Sequence, residues 1–421
     1  MRDDSFPELD PFARTPKVRT TFGEILPDRT VLDLVVVDDQ LLLCHYDGMQ
    51  HLVLPYFESG NIVYAPPRLE SNLYGALKFP AAPVEYGSLT GLFNEAVAIV
   101  EQRGFSSEVG RCCGLFSLAS WVPELFFDPP TLIIYGREMK QAAVLFSLLN
   151  CMCRRSFLTA QLSRSLPFWV QPTLLVLAPD TSAKACAFWR AANIRGVRVP
   201  SRRGAVDSLA CTRVFFVSDD EALASWGAEA LRLLLLPCAQ LLPATEEELT
   251  GIANELLPRL LMFRLRQSVQ INRTAPPTTQ KQFANYEISR QLLALVQGEP
   301  DIVASITPVL EAQQREFREY QQRDPYRVIL ESVWSPSHES KEISMAELTK
   351  RINDMLRSRG ETSVSDSRVI GWKLRQIGLP RKRNGDGMRL RFSRQIRRQI
   401  HVLASKFELN LRTFEDCPDC N

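Results

Sequence analysis

The run Thr131-Leu-Ile-Ile-Tyr-Gly136 is apolar up to a glycine and then opens into Arg137-Glu-Met-Lys-Gln-Ala-Ala143 and a helix-like stretch. Strand, glycine and helix in that order outline a phosphate-binding loop. A working loop reads G-x-x-x-x-G-K-[S/T]: the second glycine lets backbone N–H groups cradle phosphate, the lysine reaches the terminal phosphates and the hydroxyl holds magnesium. Counted from Gly136, those three positions are Gln141, Ala142 and Ala143. A second buried-strand pattern, Pro172-Thr-Leu-Leu-Val-Leu-Ala-Pro-Asp180, puts Leu177 and Ala178 where an acidic pair would hold magnesium and position water. Two losses at one centre predict no catalytic residue and no cofactor. Gly136 and Lys140, the latter two residues early, are the remnants of a nucleotide site.

The other chemistry is cationic. From Lys341 onward the chain has 18 Lys+Arg against 10 Asp+Glu, while the rest is acidic, 32 against 38. Such asymmetry predicts a polyanion-binding module at the C-terminal end. Within it, Ile370, Leu374 and Ile377 form one helical stripe, which leaves Arg368, Trp372 and Arg375 facing outward. A strand-turn-strand pattern follows, carrying Arg381, Lys382, Arg383, Arg389 and Arg391, and the next helix adds Arg397 and Arg398 beside Arg394. Guanidinium groups suit phosphate, so duplex DNA is the expected partner. A second arginine group, Arg195, Arg198, Arg202 and Arg203, surrounds Gly196, Pro200 and Gly204. Two roles are open to it, a DNA-contacting hairpin or a solvated turn.

The pair Cys417-Pro-Asp-Cys420 has metal-ligand spacing, but zinc needs two more ligands and the only histidines are His45, His51, His338 and His401. No metal site is assigned, and the pair is expected to be an inert tail. The remaining cysteines are scattered through apolar stretches and predict no disulfide framework.

The elements that must position these residues follow from periodicity. Val31 to Val37, Leu41 to Tyr46, Gln50 to Leu54 and Ile62 to Tyr64, with Asp-Asp, Asp-Gly and Gly-Asn turn signals between them, predict a small antiparallel β domain over residues 1–66. A helical connector follows over 67–128. Five short apolar runs between 129 and 244 alternate with amphipathic segments, which predicts α/β structure with a five-stranded parallel sheet and helices on both faces. A capping box at Thr245-Glu-Glu-Glu248 opens a helical lid over 245–324, on which Arg264 and Arg266 are expected on a solvated face. Residues 325–421 read as three helices and a β-hairpin, the winged-helix arrangement, followed by a tail. No apolar signal core or membrane-length run is present, so a soluble cytoplasmic protein is expected.

The outline resembles the ATPase domain of phage and plasmid primase-helicases and related mobile-element replication ATPases. The match rests on order and spacing: Tyr135-Gly136, the helix around Val144 to Met152, Phe157 to Ser163, Pro172 to Asp180, Arg190 to Gly196, the arginine-rich Val197 to Val206, and Val214 to Ser218. It covers roughly residues 90 to 405, as architecture more than as identical motifs. The resemblance implies a P-loop-type sheet and a replication or mobile-element setting, and it offers Ser218 as a sensor residue and Arg264 and Arg266 as nucleotide-sensing arginines, where the residues themselves favour a turn cap and a solvated helix face. It also implies a homo-oligomer or a replication partner protein. Because the lysine, hydroxyl and acidic pair do not carry over, the expected function is non-catalytic DNA binding on a degenerate ATPase scaffold. The alternative is an active ATPase or helicase subunit with a non-standard loop.

Overall fold

The structure is a computed structural model that describes residues 17–126, 130–161, 171–192, 197–201, 204–207, 211–218, 230–238, 240–270, 287–322, 325–360, 365–385, 387–407, 409, 411–415, 417, 418 and 420. The chain divides into two compact units, Met1–Gln313 and Gln314–Asn421. No described helix is long and apolar enough to cross a membrane.

The first unit begins with β1 (Lys17–Thr20), β2 (Glu24–Ile25), β3 (Val31–Val37), β4 (Gln40–Tyr46), β5 (His51–Leu54), β6 (Phe57–Ser59) and β7 (Ile62–Ala65). They make two small sheets where the sequence suggests one. The first is antiparallel, in the order β2-β3-β4-β5, and the second runs β1-β7-β6 with β1 parallel to β7. After α1 (Ser71–Ala76) come α2 (Leu89–Glu101) and α3 (Ser107–Trp121). Ser88 and Ser106 cap these two helices, each accepting a hydrogen bond from a first-turn N–H.

The α/β core contains β8 (Thr131–Tyr135), α4 (Met139–Met152), β9 (Phe157–Thr159), β10 (Leu174–Val176), α5 (Ala183–Ala192), the hairpin β11 (Arg198–Ser201) and β12 (Gly204–Asp207), β13 (Arg213–Val217) and β14 (Leu231–Leu234). Five of these strands form one sheet in the order β14-β8-β13-β10-β9, with every pairing parallel. Alternate residues explain the unbroken apolar runs. Ile133, Tyr135, Phe215 and Val217 pack with Cys186 and Trp189 of α5, while Leu132, Ile134, Val214 and Phe216 are buried on the other face.

The helices α6 (Glu246–Gln270), α7 (Glu287–Leu295) and α8 (Pro300–Gln322) follow. Here the sequence reading of Arg264 is corrected. Its side chain is fully buried and not on a solvated face. Its guanidinium donates from Nε to Asp33 of β3, from Nη1 to the Trp121 carbonyl at 2.6 Å, and from both Nη atoms to Glu124 at 2.9 and 2.8 Å. Arg154, in the turn between α4 and β9, meets the same Asp33 at 2.9 Å. Arg266, on the same helix, does reach the surface, where it pairs with Glu85 at 2.6 Å.

The second unit runs α9 (Pro325–Glu339), β15 (Glu342–Ser344), α10 (Met345–Ser358), α11 (Ser367–Gln376), β16 (Lys382–Asn384), β17 (Gly387–Arg391) and α12 (Arg394–Lys406). Its strands form an antiparallel sheet in the order β15-β17-β16. Leu330, Val333, Leu348, Leu374, Leu390 and Ile400 lie at the centre of its own core.

Burial alone would raise the carboxyls of Asp33 and Glu124. The neighbouring arginine charges outweigh it and hold Asp33 below its usual range and Glu124 at about 2. Their contribution to stability is therefore complete above the ordinary carboxylate range, about pH 4, and is lost as the pH falls towards 2. Replacing Arg264 with Met leaves the Glu124 carboxylate without its main partner and Asp33 with one of its two ion-paired arginines removed. It should cost about 3–5 kcal/mol in urea denaturation at neutral pH, and the cost should shrink as the acid limb is approached.

Candidate nucleic-acid interface

Helix α11 is set by its ends. Asp366 caps it by accepting from the Arg368 N–H at 3.1 Å. Gly378, at φ 77°, ends it with the left-handed residue that lets the Leu379 N–H reach back to the Leu374 carbonyl at 2.8 Å. Between these ends Ile370 and Leu374 are buried, and Ile377 packs partly against the same core. The opposite face carries Arg368, Trp372 and Arg375, all exposed, with Trp372 58% accessible. A large aromatic held in water between two cations is a poor contributor to folding and a good stacking surface.

The hairpin β16–β17 adds its charges by strand alternation. Lys382 stands opposite Arg389, and Arg391 opposite Glu342 of β15. Leu390 points into the core. Lys382, Arg389 and Arg391 therefore share the solvent face. The turn opens at Asn384, whose side chain accepts from the Gly385 N–H at 3.2 Å, and Gly387 sits at φ 130°, where a side chain would strain the backbone.

The structure divides the cations expected from sequence into two groups. Arg368, Arg375, Lys382, Arg383 and Arg398 are exposed and in no ion pair with another described residue. Four others are already engaged within the unit. Glu342 binds Arg389 at 2.8 Å and Arg391 at 3.2 Å. Arg397 is half-buried and donates to the Ser340 carbonyl at 3.3 Å. Arg381 lies over Gly371 so closely that a Cβ there would fall 2.0 Å from its guanidinium. Sequence reasoning missed Glu342 because three residues of strand are too short to show a period.

At the carboxyl edge of the parallel sheet the remaining expectations are met differently. Helix α4 starts at Met139, so only Gly136, Arg137 and Glu138 separate it from β8. Gly136 is pressed against the end of β14, with the Leu235 carbonyl 2.7 Å from where a Cβ would stand. Gln141 and Ala142 are buried within α4, Gln141 donating to the Leu236 carbonyl at 2.7 Å, while Lys140 is exposed. Leu177 and Ala178 continue from β10, their N–H groups bonded to the Thr159 and Ala160 carbonyls, and Ser218 follows β13 in the adjacent position. Of the second arginine group, Arg198 is exposed on β11, in register with Asp207. Arg195, Arg202 and Arg203 lie outside the described residues.

The Cys417–Cys420 pair is not an isolated tail. Both sulphurs lie against His338 of α9 and His401 of α12.

No protein-family model matches the chain. No curated protein matches it by sequence. Among solved structures it is similar to the apo A form of the NrS-1 C-terminal region, with 11% identity and a TM-score of 0.35, covering 86% of this chain and 96% of that one. A second structure of the same region, residues 305–718, gives 10% identity and a TM-score of 0.37 over the same shares of the two chains.

Proposed function

We propose that the chain is a non-catalytic duplex-DNA-binding protein, whose second unit is a winged helix that contacts the duplex through α11 and the β16–β17 hairpin. The observation that carries this reading is the exposed set Arg368, Trp372, Arg375, Lys382 and Arg383. These residues stand on a helix and a hairpin of one small core and present cations and an aromatic where neither serves packing. The element order helix, strand, helix, helix, hairpin supports it, since a helix of that position enters the major groove while the hairpin follows the backbone. The parallel sheet of the first unit is read as a P-loop-type scaffold that has lost its phosphate loop and serves assembly or partner docking. The replication or mobile-element setting rests on the family resemblance in the order of elements.

Three measurements test this. Duplex binding by the full chain, followed by fluorescence anisotropy against salt, should be steep. Lys382→Ala with Arg383→Ala should weaken binding to every sequence alike and flatten the slope by roughly 0.9 for each phosphate that the variant no longer neutralises. No salt-sensitive affinity at low ionic strength would make this unit a protein-docking module.

Replacing Arg375 should behave differently, because the helix face reads bases. A selection from randomised duplexes should show the preference at one position relaxing by about 1–3 kcal/mol, with other positions unchanged.

ATP hydrolysis should stay at background with or without duplex, since Gln141, Ala142 and Ala143 supply neither a phosphate-binding lysine nor a magnesium hydroxyl. Turnover that duplex stimulates and that Lys140→Ala abolishes would establish the active-ATPase reading instead.

A further inference from the structure

The second unit holds a constellation that the DNA-binding reading leaves unused. Nε2 of His338 is 3.1 Å from Nε2 of His401. Sγ of Cys417 is 3.4 Å from His401 Nε2, and Sγ of Cys420 is 3.4 Å from His338 Nε2 and 4.0 Å from that of His401. All four ligand atoms lie within 4.8 Å of one another. A tetrahedral ion with Zn–N near 2.0 Å and Zn–S near 2.3 Å requires ligand atoms about 3.3–3.8 Å apart. Two of the observed spacings, at 3.4 Å, fall in that range, the 3.1 Å contact lies just below it, and no pair is more than 4.8 Å apart.

The protonation states point the same way. The Ser337 hydroxyl donates to the Trp334 carbonyl at 2.6 Å, so towards Nδ1 of His338 it offers a lone pair at 3.1 Å. The Trp334 carbonyl is the other neighbour of that Nδ1, at 2.9 Å, and it too only accepts. His338 must therefore carry its proton on Nδ1 and direct the Nε2 lone pair at the cluster. This is the outer-shell arrangement that fixes a metal-binding imidazole. A lone pair, a second imidazole nitrogen and two sulphurs then converge, and the thiol S–H is a weak donor for so many acceptors. A soft divalent cation satisfies all four at once.

We propose that His338, His401, Cys417 and Cys420 bind one Zn²⁺ as a closed tetrahedral S₂N₂ site. Four protein ligands leave no open position, so the ion is structural and not catalytic. It ties three separate pieces together: α9 through His338, α12 through His401, and the C-terminal segment through its C-x-x-C turn, which the Cys420 N–H closes on the Cys417 carbonyl at 3.1 Å. The same segment is seated by Leu409, Leu411 and Phe414 against the core of the unit, with Phe414 stacked on the His338 ring at 4.3 Å. The packing thus delivers the two sulphurs to the two histidines, and the ion locks them there.

The test uses the full chain purified under reducing conditions without chelator. Elemental analysis should find about one zinc per chain, as a single closed site requires. Exchange with cobalt should give the visible absorption of tetrahedral Co²⁺ and a near-ultraviolet thiolate-to-cobalt band. Cys417→Ser with Cys420→Ser should abolish both, whereas Cys238→Ser, outside the group, should keep them. The cobalt spectrum of the unaltered chain needs no variant, so a variant that misfolds leaves the test intact. Reduced protein that takes up neither ion stoichiometrically would overturn the proposal. So would an octahedral cobalt spectrum, or a Cys417–Cys420 disulfide that persists under the reducing conditions.

Discussion

One buried carboxylate, Asp33, organises the first unit. It sits in the middle of β3, in a strand whose neighbouring positions are apolar and buried, and it receives both Arg154 and Arg264. Taking three such ions out of water costs several kcal/mol each unless the lone pairs and protons are all used. Most are used here: Asp33 also accepts from the Leu34 N–H, and Arg264 shares Glu124 and the Trp121 carbonyl. The Arg154 carbonyl in turn accepts from Thr173, just before β10. Four pieces distant in sequence are thereby fixed relative to one another: the N-terminal sheet, the end of α3, the entry to β9, and α6. Gly23 belongs to the same constraint, because a Cβ there would fall 2.7 Å from the Arg154 guanidinium.

Such an arrangement is poor at adding stability compared with an apolar core of equal volume, but good at permitting only one assembly. A slipped β3 would leave Asp33 unpaired or two arginines facing each other. Arg155 already feels this pressure. Burial and the adjacent Arg154 charge lower its guanidinium to about 9, so the cluster has no room for a further cation.

What the sequence revealed depended on whether the partner of each residue was near or far. The five core strands were legible because a strand covered on both faces needs an unbroken apolar run, and Leu132 to Tyr135 or Val214 to Val217 supply one. Helix α11 was legible from Ile370, Leu374 and Ile377, whose helical spacing makes the one stripe that packs into the core. Asp33 and Arg264 were not, since they are 231 positions apart and each looks locally like a surface residue. The start of α4 was hidden because Met139-Lys-Gln reads as polar loop, although Gln141 is buried by its bond to the Leu236 carbonyl. His338 was lost for a different reason. Pro336 signals the end of a helix, yet α9 continues through it to Glu339 and turns the histidine inward.

Glu342 gives the cationic face of the hairpin an internal competitor. A polyanion that docks there would displace a carboxylate already bonded to Arg389 and Arg391 before gaining those two guanidinium groups. Cations condensed on the polyanion are still released in that exchange, but the freed Glu342 carboxylate offsets part of the gain. The effective valence of the surface is therefore smaller than its formal charge, and the same carboxylate keeps the hairpin from repelling itself when nothing is bound.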